Sequence, residues 1–331
     1  MIFEARPGAD AAVARTAATF LALIDDGWTI PLPGAGATAQ RWTALAELGA
    51  ADLPLARLAE GHADALAILT EMDGPQPGSG RRLGVWAADP PSARVTADRT
   101  PNGWRLHGCK AWCSGSRVLT DALVTAHADD GPRLFLIDLL AGVGERIRVD
   151  PSVWVGPGMV ASDTADVYLD GVPAVPIGRP GGYVERPGFW HGGIGVAAVW
   201  VGGARGVAGA LRSAAGQRPG DPHLAVALGA VDTVLYGAEG ALRDAARAVD
   251  SCPADLPSAR LRAYRLRALA ARCADEVLAT VGRSLGAAPL ARDGGHAQRV
   301  ADLAVYVRQH HGERDLAALG ELLRTAVEGE S

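Results

Sequence analysis

The fold prediction rests on one stretch, Gly108-Cys109-Lys110-Ala111-Trp112-Cys113-Ser114-Gly115-Ser116. It follows a turn signal at Asn102-Gly103 and closes a run with the composition of a β-strand. Trp112 and Ser114 are two positions apart, so both side chains point to the same face of a strand. The stretch therefore predicts an indole and a hydroxyl side by side at a strand end. A buried core tryptophan followed by a strand-end serine explains the same residues without a ligand.

The middle of the chain, around this stretch, has the pattern of a β domain. Runs rich in Val, Leu, Trp and Thr alternate with turn clusters such as Thr100-Pro101-Asn102-Gly103. Short strands at this spacing are typical of an antiparallel sheet. We predict strands over 83–88, 93–98, 103–113, 121–128, 133–139 and 165–170.

Helical periodicity characterises the zones on either side. Apolar residues recur three and four positions apart over 9–72, up to a loop signal at 73–80, and again after residue 188. In the last zone this period predicts long helices over 231–249, 269–285 and 303–319, which suggest a bundle. We therefore predict an α+β chain with N-terminal helices in 1–80, a middle antiparallel β domain in 81–180 and a C-terminal helical bundle in 181–331.

The composition narrows the classes of partner. The chain has 331 residues, 48% of them hydrophobic, and a formal net charge of -5. This balance argues against a nucleic-acid or anionic membrane partner. The apolar stretch 192–211 carries Arg205 and many small residues, which favours a buried helix over a membrane span. The four cysteines lack zinc-site spacing, so we expect no metal, reduced thiols and a cytoplasmic location.

The stretch at Trp112 resembles the β-domain signature of the acyl-CoA dehydrogenase family, G-x-K-x-W-x-[ST]. The order of helices, β domain and helices is also similar to that family, whose C-terminal part is a four-helix bundle. The resemblance implies FAD as the cofactor, with Trp112 packed against the flavin and Ser114 hydrogen-bonded to it. It also implies an acyl thioester substrate and a homodimer or homotetramer, with a heteromer as the alternative and an electron acceptor protein as a further partner.

The chain departs from this family at the catalytic base. Many members carry a glutamate in a Tyr-Glu-Gly run just past the last long helix, and aligning this chain through Asp302 and Tyr306 places Gln309-His310-His311 there. An imidazole titrates near neutrality, so His310 is the first candidate base. Capping of the helix, or pairing with Glu313, explains His310 and His311 equally well. The N-terminal zone is also shorter than is usual in the family.

Other candidate residues come from the same alignment. His191, in Trp190-His191-Gly192-Gly193, is a second candidate base, although a plain helix entry explains it as well. Arg218 lies where the family often has an arginine that reaches the FAD phosphates. The alternative is an ordinary surface arginine without a ligand. Leu285 and Gly286 resemble the glycine turn that approaches the FAD of a neighbouring subunit, and a glycine-terminated helix is the alternative there.

Three functions follow from the resemblance. The first is α,β-dehydrogenation of an acyl thioester by an FAD-dependent oxidoreductase. The second is a flavin-dependent monooxygenase of the same fold, since relatives of this kind also lack the glutamate and use reduced flavin with oxygen. The third is a non-catalytic subunit of a heteromeric acyl-CoA dehydrogenase.

Overall fold

The computed structural model describes residues 7–141 and 144–329. The chain divides into two compact units with interleaved segments. Unit 1 comprises Met1–Thr29, Arg57–Gly156 and Val160–Phe189, and unit 2 comprises Ile30–Ala56, Pro157–Met159 and Trp190–Ser331. The three domains at 1–80, 81–180 and 181–331 stay a sequence prediction.

Unit 1 contains the sheet. Its strands are β1 (Leu83–Trp86), β2 (Val95–Thr100), β3 (Gly103–Cys113), β4 (Asp121–Ala128), β5 (Gly131–Asp138), β6 (Ile147–Asp150) and β7 (Ala165–Ile177). They are ordered β1-β4-β2-β3-β7-β5, with β6 on β7. Because β5 pairs with β4 as well as with β7, the five strands β4, β2, β3, β7 and β5 form a closed ring. The unit also holds α1 (Pro7–Asp25) and most of α3 (Leu53–Glu71).

The prediction of an antiparallel sheet is only partly right. β1 runs parallel to β4 over its whole length, and β2 is parallel to β4 at the Thr96–His127 pair. The other pairings are antiparallel. The β2–β3 hairpin lies between β1 and β4 in the chain, and a connection of that length allows parallel pairing. The short strand β6 was missed by the sequence prediction.

A buried apolar cluster joins α3 to the sheet. Side chains from α3, β1, β4, β5 and β7 form it, all at most 2% exposed: Ala65, Ile68, Leu69, Leu83, Leu123, Leu134 and Ile177. Helical spacing on α3 meets strand alternation on the sheet, so both elements bury their apolar faces together. This cluster fixes the face that α3 turns towards the strands.

Unit 2 is helical. Its elements are α2 (Thr38–Ala51), α4 (Pro187–Gln217, with the first three residues in unit 1), α5 (Pro222–Ser251), α6 (Leu256–Leu285), α7 (Ala287–Arg292), α8 (Gly294–Tyr306) and α9 (Glu313–Gly329). Aspartate caps start α5, α6 and α8, where the carboxylates of Asp221, Asp255 and Asp293 accept from backbone N–H groups. The helix predicted over 303–319 is in fact two, because the chain turns at His310 and Gly312 has a φ of 54°.

Glycines let α4 pack very closely against α2. A Cβ atom at Gly202 would lie 2.0 Å from the Ala46 carbonyl oxygen, and one at Gly206 would lie 2.6 Å from that of Ala50. Gly49 on α2 has the reciprocal constraint against the Val199 carbonyl oxygen, at 2.4 Å. The Gly/Ala-rich composition of α4 therefore serves packing within the chain.

Among the described residues, two helices, α4 and α5, are long and apolar enough to cross a membrane by length and composition alone. The most apolar window of α4 is 78% buried inside the protein, as in the core helix of a globular domain. The four cysteines are free thiols.

Candidate functional site

The end of β3 has an irregular backbone that turns Trp112 outward. The register between β3 and β7 shifts between Lys110 and Cys113, which marks a bulge with one extra residue. Trp112 lies in this bulge with a φ of 62°, a conformation that bulky residues rarely adopt. Its side chain is 57% exposed. The alternative of a buried core tryptophan is therefore wrong for this residue.

A second tryptophan pairs with Trp112. The indole of Trp154, just past β6, packs edge-to-face on Trp112 with ring centroids 5.6 Å apart. Such an aromatic pair is worth roughly 0.5–1.5 kcal/mol beyond the area it buries. The pair presents an aromatic surface at the end of β3. Trp154 was not among the residues predicted from the sequence, where its only signal is an aromatic residue in a turn-rich stretch.

Two other residues of the stretch 108–116, Gly108 and Lys110, have structural roles that account for their positions in it. Gly108 has a φ of 117°, and a Cβ atom there would lie 2.2 Å from the Arg94 carbonyl oxygen, so only glycine fits. Lys110 is fully buried, and its Nζ donates to the carbonyl and hydroxyl oxygens of Thr125 at 2.8 Å each. Burial lowers the pKa of Lys110. These two residues anchor β3 behind the exposed indole.

Ser114 belongs to a row of hydroxyl groups. Its Oγ lies 3.0 Å from Thr164 Oγ1, which lies 2.8 Å from Ser162 Oγ. The Ser114 carbonyl accepts from Trp86 Nε1 at 3.0 Å, so the backbone of Ser114 is held as well. The half-buried Ser114 is thus a fixed polar group, two positions after Trp112 in the chain.

Asp163 connects this row of hydroxyl groups to the turn after β3 through hydrogen bonds. Its carboxylate accepts from the Arg117 backbone N–H at 2.9 Å and from Arg117 Nε at 2.8 Å. The Gly115 N–H donates to the Ser162 carbonyl at 2.8 Å, and the Ser116 N–H donates to the Asp163 carbonyl at 3.1 Å. The sequence run Ser162-Asp163-Thr164 was therefore a usable signal for site residues that the sequence analysis did not recognise.

Helix α3 adds a charged pair next to Ser114. Arg57 Nε donates to Ser114 Oγ at 3.3 Å, and Arg57 Nη1 donates to Glu60 Oε2 at 2.6 Å. Their side chains are 16% and 6% exposed. Charged residues on the inward face of an otherwise apolar helix are unusual, and this pattern was also a readable signal. A small cavity of about 10 Å³, room for about one water molecule, adjoins Arg57, Gly61 and Ser114.

His310, in unit 2, has a defined hydrogen-bonding state. Its Nδ1 accepts from the Gly312 N–H at 3.3 Å, so the neutral ring carries its hydrogen on Nε2. That Nε2 is buried and has no hydrogen-bond partner among residues 7–141 and 144–329. Burial lowers the pKa of His310, against the opposing effect of the Asp315 carboxylate, and the ring is therefore neutral at pH 7. In this state His310 is a hydrogen-bond donor at Nε2.

His191 has a structural partner in the same unit. It is 2% exposed, and its Nε2 lies 3.0 Å from the Pro253 carbonyl oxygen, to which it donates. Arg267 holds the two histidine segments together, because its guanidinium donates to the Gly193 carbonyl at 3.1 Å and to the Gln309 carbonyl at 2.9 Å. The role of His191 as a base stays a prediction, and its bond to Pro253 gives it a structural purpose.

The residues expected at the FAD phosphates lie at the ends of unit 2 helices. Arg218 is exposed in the turn after α4, with Nη1 3.5 Å from Asp221 Oδ2. Gly286 ends α6 with a φ of 66°, beside half-buried Leu285, and a Cβ atom there would meet open space. Their phosphate role stays a prediction.

The residues around Trp112 in unit 1 suit a flavin ring. Isoalloxazine is a planar aromatic system with nitrogen and oxygen acceptors along its edge. The Trp112–Trp154 pair offers an aromatic surface, and Ser114, just past the end of β3, offers a hydroxyl. No group of three or more His, Cys, Asp or Glu side chains that could hold a metal ion occurs in the described part of the chain.

No family model matches the chain, and no curated protein matches it by sequence. Solved structures match it by fold. TdsC, a dibenzothiophene monooxygenase from Paenibacillus sp. A11-2, was solved with FMN and indole and is 19% identical, with a TM-score of 0.75 over 95% of this chain and 96% of that one.

Two further structures extend this likeness. KijD3, in complex with FMN and an amino-keto dTDP-sugar, is 20% identical, with a TM-score of 0.73 over 97% of this chain and 92% of that one. The Tcur3481–Tcur3483 steroid ACAD is also 20% identical, with a TM-score of 0.68 over 97% and 90%. The chain therefore has the fold that acyl-CoA dehydrogenases share with these FMN-binding proteins.

Proposed function

We propose that this protein is a flavin-dependent monooxygenase with the acyl-CoA dehydrogenase fold. The observation that carries the proposal is the state of His310, which presents an N–H donor at the position aligned with the usual catalytic glutamate. Dehydrogenation of an acyl thioester needs a base that takes the α-proton. A neutral imidazole with Nδ1 engaged and a hydrogen on Nε2 is not ready to accept one.

A hydrogen-bond donor suits oxygen chemistry instead. When bound, reduced flavin supplies two electrons to dioxygen, so that one oxygen atom enters the substrate and the other leaves as water after taking up two protons. In this proposal, the buried Nε2–H of His310 stabilises negative charge developing on the reacting oxygen. Trp112 packs against the flavin ring and excludes water, and Ser114 orients the ring through its hydroxyl. A nicotinamide-dependent flavin reductase is the class of partner that would supply the electrons.

The flavin itself is FMN or FAD. The resemblance implies FAD, whereas TdsC and KijD3 were solved with FMN. The residues of unit 1 that suit a flavin address the ring, which both cofactors share. Mass analysis of the flavin released from purified protein distinguishes FMN from FAD.

The test uses flavin-loaded protein and two variants, His310→Ala and His311→Ala. We expect acyl-CoAs added without oxygen to leave the flavin absorption unchanged, and the chemically reduced protein to react rapidly with oxygen. His310→Ala should slow that reaction about tenfold or more, because loss of one preorganised donor typically costs that much or more. His311→Ala, an exposed neighbour, should leave the rate unchanged.

Two outcomes oppose the proposal. Anaerobic bleaching of the flavin by an acyl-CoA would establish a dehydrogenase, the first of the three functions predicted from the sequence. A wild-type protein that binds neither FMN nor FAD would exclude both enzymatic functions for this chain on its own.

A further inference from the structure

The Arg57–Glu60 ion pair is buried, and neither the motif at Trp112 nor the proposed reaction gives it a role. Arg57, Glu60 and Gly61 lie three and four positions apart, on the face of α3 that is turned towards the sheet. Taking two charges out of water is unfavourable unless close partners compensate. The pair has its partners, and one of them is the hydroxyl of Ser114.

The hydrogen-bond partners of Ser114 Oγ constrain the direction in which its hydroxyl hydrogen points. A guanidinium only donates, so Ser114 Oγ accepts from Arg57 Nε. If Ser162 donates to Thr164 and Thr164 donates to Ser114, both lone pairs of Ser114 Oγ are occupied. The single Ser114 hydrogen is then available only for donation outside the row.

We infer that Arg57, held by Glu60, is a positioning residue that makes Ser114 a hydrogen-bond donor to the flavin. Together with Glu60, it also determines the charge next to the flavin. The inference rests on flavin binding in the proposed function, and it holds whether the enzyme is a monooxygenase or a dehydrogenase. The ligand group that Ser114 recognises is a nitrogen or oxygen acceptor on the flavin edge.

The charges of the pair have opposite consequences for reduction. Reduction adds two electrons and one proton to the flavin, so the reduced form carries one more negative charge. The Arg57 guanidinium favours that form, and the Glu60 carboxylate, which partly neutralises Arg57, opposes it. Removing one charge should therefore shift the reduction potential in the opposite direction from removing the other.

The experiment measures flavin affinity and reduction potential in Arg57→Gln, Arg57→Lys and Glu60→Gln. Arg57→Gln should move the potential to a more negative value, with the preference for reduced over oxidised flavin falling about tenfold. Glu60→Gln should move it to a more positive value. Arg57→Lys keeps the charge and should recover most of the potential, although an ammonium group cannot reproduce the contacts of the guanidinium with both Ser114 and Glu60.

The chain offers a matched control in the same unit. Arg133 and Asp130 form another pair three residues apart, and Asp130 is exposed. Arg133→Gln and Asp130→Asn should leave the potential unchanged. Shifts in the same direction for Arg57→Gln and Glu60→Gln, or no shift in either while flavin stays bound, would reduce the pair to a structural role and overturn the inference. Acyl-CoA bleaching would overturn the monooxygenase while leaving these shifts in place, and absence of flavin binding would overturn both.

Discussion

Trp112 combines an exposed indole with a left-handed backbone, and each of these features is unfavourable for folding. A bulky residue at a φ of 62° costs of order 1–3 kcal/mol relative to an ordinary conformation. An indole that is mostly in water regains little of that through burial, and its contact with Trp154 offsets only part of it. Strain that persists without a folding benefit is a mark of functional positions. We interpret Trp112 in that way.

This interpretation predicts that Trp112→Gly changes stability little but weakens flavin binding. Glycine adopts a positive φ freely, so the strain that is relieved should offset the lost indole contact. We expect the free energy of unfolding to stay within about 1 kcal/mol of wild type. Flavin affinity should fall about tenfold or more, since an aromatic contact is lost. Urea unfolding and titration with FMN and FAD measure the two quantities.

Trp104→Gly is the matched control for that change. Trp104 is on the same strand, outside the left-handed region, and packs on Phe135 with ring centroids 5.4 Å apart. Its loss should cost about 2 kcal/mol or more and leave flavin affinity unchanged. If Trp112→Gly destabilised the protein as much as Trp104→Gly, Trp112 would be an ordinary structural residue.

At the scale of elements, α8 holds the segment 157–159 through one buried carboxylate. Asp302 Oδ1 accepts from the Met159 N–H at 2.5 Å and from Gln298 Nε2 at 2.8 Å. Gly158 fits tightly there, because a Cβ atom would lie 2.2 Å from the Ala301 carbonyl oxygen. Burial raises the pKa of Asp302 to about 6, so its charged form is disfavoured in the folded protein.

We predict that Asp302→Asn stabilises the protein at neutral pH. The folded-state pKa of Asp302 is above its value of about 4 in an unfolded chain, so its ionisation lowers stability as pH rises from about 4 to about 6. Asparagine keeps the acceptor oxygen without the charge. The variant should gain on the order of 2 kcal/mol at pH 7.5 and nothing at pH 4. Urea unfolding across this pH range measures the gain.

Asp293→Asn, at the N-terminus of the same helix, is the control. Its carboxylate caps the His296 N–H, and that bond lowers the pKa of Asp293. Because this shift has the opposite sign, the variant should show no gain that grows with pH. A pH-independent effect of Asp302→Asn would mean that the pKa of Asp302 is the same in the folded and the unfolded protein.

At the scale of the whole molecule, the two units should respond to acid in opposite ways. In unit 1, burial lowers the pKa of His62 to about 4, and its Nδ1 accepts from the Leu83 N–H at 3.1 Å. A depressed histidine pKa means that the stability it contributes above about 6.5 is lost as pH falls. In unit 2, the free energy of unfolding should rise as pH falls through about 6, because the buried Asp302 carboxyl becomes protonated. His62 in unit 1 and Asp302 in unit 2 are thus buried titratable groups whose effects on stability change with pH in opposite directions.

Hydrogen exchange at pH 7 and pH 5 tests this expectation, after correction for the intrinsic exchange rates. Peptides from α3 and β1 should lose protection at pH 5, while peptides from α8 should keep it. In His62→Asn, whose amide oxygen can accept from the Leu83 N–H, the loss in unit 1 should be smaller. Earlier loss of protection in α8 than in α3 would contradict the assignment of the acid-sensitive group.

The sequence by itself determined the features that depend on neighbouring residues. The periodicity of α5 and α6 and the limits of β3 and β4 are local patterns, and the structure has them as predicted. The prediction that Trp112 and Ser114 share one face of a strand is not confirmed, because β3 ends at Cys113 and Trp112 lies in a bulge. The resemblance at 108–116 also led to the fold that the solved structures share. Local spacing carries this information because side-chain direction repeats with the period of the helix or strand.

Only the tertiary structure decided the features that depend on distant pairings. The parallel pairing of β1 with β4, the bulge that exposes Trp112, and the contact of Arg57 with Ser114 join residues far apart in the chain. The donor state of His310 follows from a turn that interrupts a helical pattern. Periodicity states which face a side chain occupies, but not which other element lies against that face, and the chemistry of this site depends on those contacts.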